Sequence, residues 1–152
     1  MKKKKDIRFY HDEFETTCFL DDGEVYVVAV ATCEPEHQDY YTDLSGENLA
    51  YYKALEKYYH EYATRTKEKI IELERLSNYL FPPRFLSEEK TPKDTVYGVK
   101  MVKYRLDKEI NNLKELYTEY KEYELAMAGK ITEWVIYKDN IFKKFRKKAE
   151  EK

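Results

Sequence analysis

The chain has 152 residues, of which 42% are hydrophobic and 38% are charged, a balance that excludes a disordered tail and a membrane protein. No apolar run approaches the roughly 20 residues that a membrane-spanning helix needs. The residues after the N-terminal lysines are too polar for a signal peptide. We therefore expect a cytoplasmic protein that forms a single domain over residues 1–152, with one modest core.

Charge is segregated along the chain, although the formal net charge is only −2. Between Phe9 and Tyr52 there are eleven acids and no lysine or arginine. All 28 basic residues lie outside this stretch, with the excess concentrated at Lys2–Lys5 and Lys143–Lys148. This pattern predicts an acidic head, residues 9–43, that attracts a basic partner.

The head has the pattern of an antiparallel β-hairpin. Residues 14–20 alternate between apolar and polar types, residues 25–31 are apolar and β-branched, and an acidic turn with a glycine joins the two runs. If Asp22-Gly23 is the loop, Cys18 lies opposite Val27, and Cys33 is too far along the second strand to reach Cys18. We expect two free, buried cysteines and no disulfide.

Helical spacing follows the head. Apolar residues recur mostly at intervals of three, four or seven over 44–81, where Asp43 is the expected cap and Pro82-Pro83 ends the helix. A second helix is predicted over 95–128, with Gly129 as its C-cap. Residues 130–152 form a third, shorter amphipathic helix with a basic tail, and a strand over 131–137 is the lesser alternative. The predicted fold class is α+β: an N-terminal antiparallel β-hairpin, a long helical hairpin over 44–128 and a shorter C-terminal helix.

The predicted helices are too long for a compact monomer of this size. A helix of 38 residues extends about 57 Å, whereas a compact 152-residue domain has a diameter near 40 Å. Two helices also cover only one face of each other. A homo-oligomer is therefore expected.

Catalytic and metal-binding patterns are missing from the sequence. The four glycines are far apart, so they form no phosphate-binding loop, and there is no nucleophile elbow or zinc-protease motif. Two distant cysteines and three scattered histidines do not supply the four ligands of a zinc site. We expect no enzyme activity, no metal and no cofactor.

Tyrosine, a residue type that is common in protein interfaces, is abundant in the chain. The 16 tyrosines include adjacent pairs, and neighbouring residues on a helix point about 100° apart, so Tyr52 and Tyr59 should lie at the edge of the core or face outward. Tyrosine gives large contact area at a low entropic cost. The predicted partner-binding residues combine head acids with tyrosines: Asp21, Asp22, Glu24, Glu34, Glu36, Asp39, Tyr40, Tyr41, Tyr52 and Tyr59.

One stretch carries a family resemblance. A strand that ends in Ala31-Thr32-Cys33-Glu34-Pro35 is followed by a short connector, by Gly46-x-x-Leu49-Ala50 and by Lys53-Ala54 at the start of a helix. This arrangement resembles small phage-encoded accessory proteins, some of which inhibit bacterial immune systems. The chain departs from that pattern at Glu36-His37 and at Lys53, where an aspartate and an arginine are expected.

Three functions are open at this point. The first is an inhibitor whose acidic head binds the basic, nucleic-acid-binding surface of a host defence effector. The second is a structural protein that self-assembles through its acidic head and basic tail, whose contacts with nucleic acid would be weak. The third is a sponge for a nucleotide-like immune signal, held by Arg8, Lys53 and Arg84.

Overall fold

The computed structural model describes residues 4–13, 15–32, 43–81 and 93–150. Five elements follow one another: strands β1 (Asp6–Asp12), β2 (Glu15–Asp21) and β3 (Tyr26–Thr32), and helices α1 (Asp43–Leu80) and α2 (Lys93–Glu150). The predicted α+β class, with an antiparallel sheet ahead of the helices, is confirmed.

The sheet has three strands in the order β1-β2-β3, so the predicted two-stranded hairpin is incomplete. β1 pairs antiparallel with β2 along its whole length, from Asp6 opposite Asp21 to Asp12 opposite Glu15. Nearly all of β1 is exposed. The strand therefore depends on pairing with β2 rather than on burial of its own side chains, and its apolar content alone does not reveal it.

The turn between β2 and β3 has four residues, not the predicted two. Asp21 lies opposite Tyr26, so Cys18 pairs with Ala29 and not with Val27. The Asp22 carboxylate selects the longer loop because its Oδ1 accepts the backbone N–H groups of Glu24, at 2.9 Å, and Val25, at 2.7 Å. Gly23 has a φ of 92°, which favours glycine at that position.

The first helix agrees with the prediction and the second does not. α1 lies within one residue of the predicted 44–81. α2 continues through Gly129 to Glu150, so the separate C-terminal helix and the strand over 131–137 are both wrong. A glycine inside a helix costs only about 1 kcal/mol, and Gly129 does not adopt the left-handed conformation of a C-cap. Neither helix, over its described residues, has a segment apolar enough to span a membrane.

Contacts within the chain group its described residues into two compact units. The first unit comprises Met1–Glu61 and Lys121–Lys152, which include the sheet, the start of α1 and the end of α2. The second unit is Tyr62–Tyr120, which includes the rest of both helices.

The core of the first unit lies between α1 and one face of the sheet, which we call the inner face. Side chains alternate along each strand, and the inner-face residues Cys18, Leu20, Ala29 and Ala31 are all buried. Leu49, Ala50, Ala54 and Leu55 of α1 are also buried. Tyr58 connects the two layers, because its hydroxyl donates to Oδ2 of Asp22 at 2.8 Å.

Two lysines of α1 bind the backbone of the edge strand β3. Lys57 Nζ donates to the carbonyl of Val28 at 2.9 Å, and Lys53 Nζ donates to that of Val30 at 3.4 Å. These carbonyls point away from β2, so the lysines occupy acceptors that an added strand would use. The β3 edge is therefore partly protected.

The end of α2 joins the first unit through polar and aromatic contacts. Glu124 accepts hydrogen bonds from His60 at 2.9 Å and from Lys121 at 2.8 Å. Burial favours a higher pKa for Glu124, but the hydrogen bonds and charges of Lys121 and His60 outweigh burial and hold the pKa below its ordinary value. Next to this group, the rings of Tyr59 and Tyr123 lie 5.1 Å apart.

The second unit is a pair of helical segments with one apolar seam. Ala63, Ile70 and Ile110 are buried in it, and the rings of Tyr62 and Tyr120 stack at 5.4 Å. An ion pair joins Glu74 to Lys114 at 3.0 Å. Several large apolar side chains of this unit are nevertheless exposed: Ile71, Leu76, Tyr79, Leu80, Met101, Val102 and Tyr104.

Cys18 is free and fully buried, as predicted, and Cys33 lies outside the described residues. Burial raises the pKa of the Cys18 thiol to about 11, so the thiol stays protonated at neutral pH. We expect Cys18 to resist alkylation in the folded protein and to react within minutes in denaturant. Mass spectrometry of the peptides from an alkylated sample, with Cys33 replaced by serine, measures this directly. Rapid labelling of Cys18 without denaturant would contradict its burial.

Candidate binding surface on the outer face of the sheet

The second face of the sheet, which we call the outer face, carries no buried side chain. It is formed by alternate residues of the three strands, and the pairing arranges them in four rows across the sheet. The rows are Asp6–Asp21–Tyr26, Arg8–Phe19–Val28, Tyr10–Thr17–Val30 and Asp12–Glu15–Thr32. Each member is half-buried or exposed. The outer face thus combines four carboxylates and one guanidinium with an apolar and aromatic centre.

Two of the rows place like charges directly opposite each other. Asp6 faces Asp21 in the first row, which we call the first carboxylate pair, and Asp12 faces Glu15 in the fourth, the second carboxylate pair. Directly opposed residues have Cβ atoms about 5 Å apart, where like charges destabilise a sheet. Strand pairing alone gives no reason for this arrangement. Two cationic groups of a partner would relieve the repulsion in both rows.

Aromatic side chains occupy the space between the two carboxylate pairs. The rings of Phe19 and Tyr26 stack across β2 and β3, with centroids 6.4 Å apart and planes 28° apart. Tyr26 is 60% exposed and Tyr10 is 63% exposed. Exposed tyrosines between charged groups have the composition of a protein interface, in which aromatic residues supply most of the contact energy.

A shallow cleft opens at the first carboxylate pair. Its volume is about 440 Å³, and its lining combines the two aspartates with the stacked rings and one arginine: Asp6, Arg8, Phe19, Asp21 and Tyr26. Arg8 Nη2 lies 3.3 Å from Oδ2 of Asp6, and both side chains are largely exposed. A single guanidinium therefore stands beside two carboxylates, which leaves this end of the outer face negative.

Further acids lie at the two turns, one beside each carboxylate pair. Glu24 is exposed in the turn that follows Asp21. Glu13 is exposed in the turn that follows Asp12, and its φ of 42° is unfavourable for a residue other than glycine. Glycine or asparagine would suit that turn better. Backbone strain of this kind is found most often at functional sites.

The head acids predicted to bind a partner have different roles. Asp21 and Glu24 are exposed, as expected. Asp22 is among the predicted partner-binding residues, but it is only 9% exposed. Asp22 is turned inward because the turn N–H groups and the Tyr58 hydroxyl bind its carboxylate. Its carboxylate is therefore engaged within the fold and is not presented on the outer face.

The other predicted partner-binding residues do not belong to the outer face as the structure describes it. Tyr52 and Tyr59 lie at the edge of the core, as predicted, but each ring is already in contact within the chain. Lys130 Nζ lies 5.4 Å from the centroid of Tyr52, and Lys5 Nζ lies 5.5 Å from that of Tyr59. The remaining predicted positions lie outside the described residues: Glu34, Glu36, Asp39, Tyr40 and Tyr41.

The residues predicted to hold a nucleotide-like ligand are not brought together. Arg8 lies on β1, at one edge of the sheet, and Lys53 binds the backbone of β3, at the opposite edge. Arg84 lies outside the described residues. Within the described part of the chain, no group of three His, Cys, Asp or Glu residues is placed to hold a metal ion.

Of the twelve outer-face residues, the sequence predicts only Asp21 as partner-binding and Arg8 as ligand-binding, largely because β1 is not predicted from it. The signal was present in the alternation of Ile7, Phe9 and His11 with Asp6, Arg8, Tyr10 and Asp12. The alternation does not reveal which strand β1 pairs with, and that pairing creates the carboxylate pairs.

No protein-family model, curated protein or solved structure was found to match the chain.

Proposed function

We propose that this chain is a non-catalytic cytoplasmic binding protein whose outer sheet face binds a basic surface of another protein. The observation that carries the proposal is the presence of two like-charged cross-strand pairs on one open face. A sheet accepts such pairs at a cost in stability, and a requirement for binding explains why both are present. Basic groups on a partner would neutralise both pairs, and the exposed tyrosines would supply contact area.

The distance between the two carboxylate pairs predicts the distance between the cationic groups of the partner. Asp12 lies six positions after Asp6, and a strand rises about 3.3 Å per residue, so the pairs are about 20 Å apart. The partner has two cationic groups at that separation with an apolar patch between them. Nucleic-acid-binding proteins expose basic groups of this kind. We therefore infer an inhibitor of the phage-encoded type, which occupies the nucleic-acid-binding surface of a host defence effector.

A charge-reversal experiment tests the proposal. The tagged chain is incubated at low salt with extract of the cells that encode it, beside the double variant Asp12→Lys/Glu15→Lys. We expect the native chain to retain a basic protein and the variant to retain at least tenfold less, because electrostatic attraction at this face becomes repulsion. The purified partner should then lose its affinity for nucleic acid when one equivalent of the chain is added.

A matched control keeps the total change of charge the same. Glu68 and Glu72 are exposed on α1 in the second unit, so Glu68→Lys/Glu72→Lys changes the net charge equally without touching the outer face. This variant should retain the partner as the native chain does. Equal loss in both double variants would show that net charge, and not the outer face, determines binding, and would overturn the proposal.

A structural, self-assembling protein is the second candidate, and one observation favours it. Among its described residues, the second unit exposes large apolar side chains on both helical segments, and such surfaces often mark protein–protein contacts. A homo-oligomer that buries them is compatible with binding through the outer face. Mass measurement in solution decides the state, and an oligomer whose outer face is closed to partners would favour self-assembly as the main function.

A further inference from the structure

The two edges of the sheet differ in their availability for hydrogen bonding. On β3, the backbone groups of Val28 and Val30 point away from β2, since both carbonyls accept bonds from lysines of α1. A hydrogen bond in the turn supports this orientation, because the N–H of Asp22 donates to the carbonyl of Val25 at 3.2 Å. Hydrogen-bonded pairs alternate along the strands, so Leu20 and Cys18 of β2 also form hydrogen-bonded pairs with β3. The backbone groups of Phe19 and Thr17 must therefore point toward β1.

The same alternation determines which groups β1 presents at its outer edge. Arg8 is paired with Phe19, and Tyr10 with Thr17, so the backbone groups of these two β1 residues point toward β2. The N–H and C=O groups of Ile7 and Phe9 consequently point away from the sheet. No lysine or proline lies within β1 to discourage another strand. Phe9, at 36% exposure, also leaves part of its ring uncovered on the inner face.

From this geometry we propose that the partner binds by adding an extended segment to the β1 edge, antiparallel to β1. The inference rests on the proposed function, since it concerns the same partner and the same acidic face. A residue of the segment opposite Phe9 has its side chain on the inner face. The residues three positions to either side then lie on the outer face, opposite Asp6 and Asp12.

Charge complementarity defines the segment. A lysine or arginine at each of these two positions would pair with Asp6 and Asp12, at the two ends of the outer face. An apolar residue at the centre would cover Phe9. The predicted recognition motif is therefore a basic residue, two residues of any type, an apolar residue, two residues of any type and a second basic residue.

A second copy of β1 is a poor occupant of the same edge. If two β1 strands pair about Phe9, Asp6 of each copy faces Asp12 of the other, which adds two further like-charge contacts. If they pair about Arg8, two guanidinium groups face each other. Charge repulsion thus disfavours pairing of this edge with a second copy of β1, whereas a basic strand is attracted. The difference makes the edge specific for a basic segment.

The test uses synthetic eleven-residue peptides with phenylalanine at the centre, lysine three residues to either side and threonine or valine elsewhere. Binding to the full chain is measured by fluorescence anisotropy, and amide hydrogen exchange is followed by NMR. We expect saturable binding that slows exchange at the N–H groups of Ile7 and Phe9, while those of Arg8 and Tyr10 change little. Mass measurement of the complex should show one peptide per chain.

Paired modifications of the peptide separate strand addition from simple charge attraction. N-methylation of the central residue removes a backbone donor that faces β1, and should weaken binding at least tenfold. N-methylation of the next residue removes a donor that faces solvent, and should change binding less than about threefold. Replacing both lysines with glutamates should abolish binding.

The remaining outcomes test strand addition and the acidic binding face separately. If the two N-methylated peptides bind equally and only the lysines matter, strand addition is overturned and the acidic face stands. If no peptide binds while Asp12→Lys/Glu15→Lys still loses the cellular partner, the β1 edge is not the point of contact. If the peptide draws two chains together, a second copy at this edge replaces the proposal. If neither the peptides nor the double variant has an effect, both proposals fail.

Discussion

Replacing Asp22 with alanine is expected to destabilise the protein by about 2–4 kcal/mol, which lowers the melting temperature by roughly 6–12 °C. The carboxylate accepts hydrogen bonds from two backbone N–H groups of the turn and from the Tyr58 hydroxyl. Alanine leaves all three donors without this acceptor, and two of them, the Val25 N–H and the Tyr58 hydroxyl, are buried. The cost therefore comes mainly from desolvated groups that are left unsatisfied, not from the loss of a charge.

The neighbouring acid provides the control for this prediction. Asp21 also accepts a backbone N–H, that of Gly23 at 2.8 Å, but it is exposed and water can replace it. Asp21→Ala should therefore cost less than about 1 kcal/mol. Chemical denaturation of both variants measures the difference. Equal losses of stability would show that the inward orientation of Asp22 has no energetic importance.

Tyr58 tests the same interaction from the helix. Tyr58→Phe retains the buried ring and removes only the hydroxyl that binds Asp22, so we expect a loss of about 1–2 kcal/mol. In the double variant Asp22→Ala/Tyr58→Phe, the loss should be smaller than the sum of the single losses by about 1 kcal/mol. That coupling would identify the contact that fastens the β2–β3 turn to α1.

Helices and strands of this fold could be predicted from the sequence where the local pattern of apolar residues and prolines determines their bounds. The bounds of α1 follow from the periodicity of its apolar residues and from the prolines after it, and the burial of Cys18 follows from its place in an apolar strand. The end of α2 could not be placed, because a glycine is a weak signal when the flanking residues favour helix on both sides. Gly129 suits a C-cap but does not require one.

The candidate site depended on information that a single segment does not contain. The acidity of the head was evident, but its division into a binding face and a structural residue was not. Asp21 and Asp22 are chemically identical neighbours, and only the structure shows that the turn N–H groups and the Tyr58 hydroxyl bind Asp22. Likewise, Asp12 and Glu15 become a carboxylate pair only because β1 joins the sheet in one register.

Replacing Glu15 with lysine is expected to have opposite effects on stability and on binding. The change converts the second carboxylate pair into an ion pair with Asp12, which should raise the free energy of unfolding by about 0.2–1 kcal/mol. Partner binding should weaken at least tenfold, because one acid is lost and a repulsive lysine is added in its place. Both effects should diminish as the salt concentration rises, since both side chains are exposed.

This divergence separates a binding role from a structural one. A variant of a residue that only supports the fold loses function because it loses stability. Glu15→Lys should instead gain stability and lose partner binding. Glu68→Lys, on the exposed surface of the second unit, makes the same change of charge and should leave partner binding within about twofold. Denaturation curves and capture of the cellular partner, measured on the same preparations, give the two readouts. If Glu15→Lys stabilised the protein and bound its partner as before, the repulsion between the two carboxylates would have no connection with binding, and the outer face would lose the observation that marks it as a site.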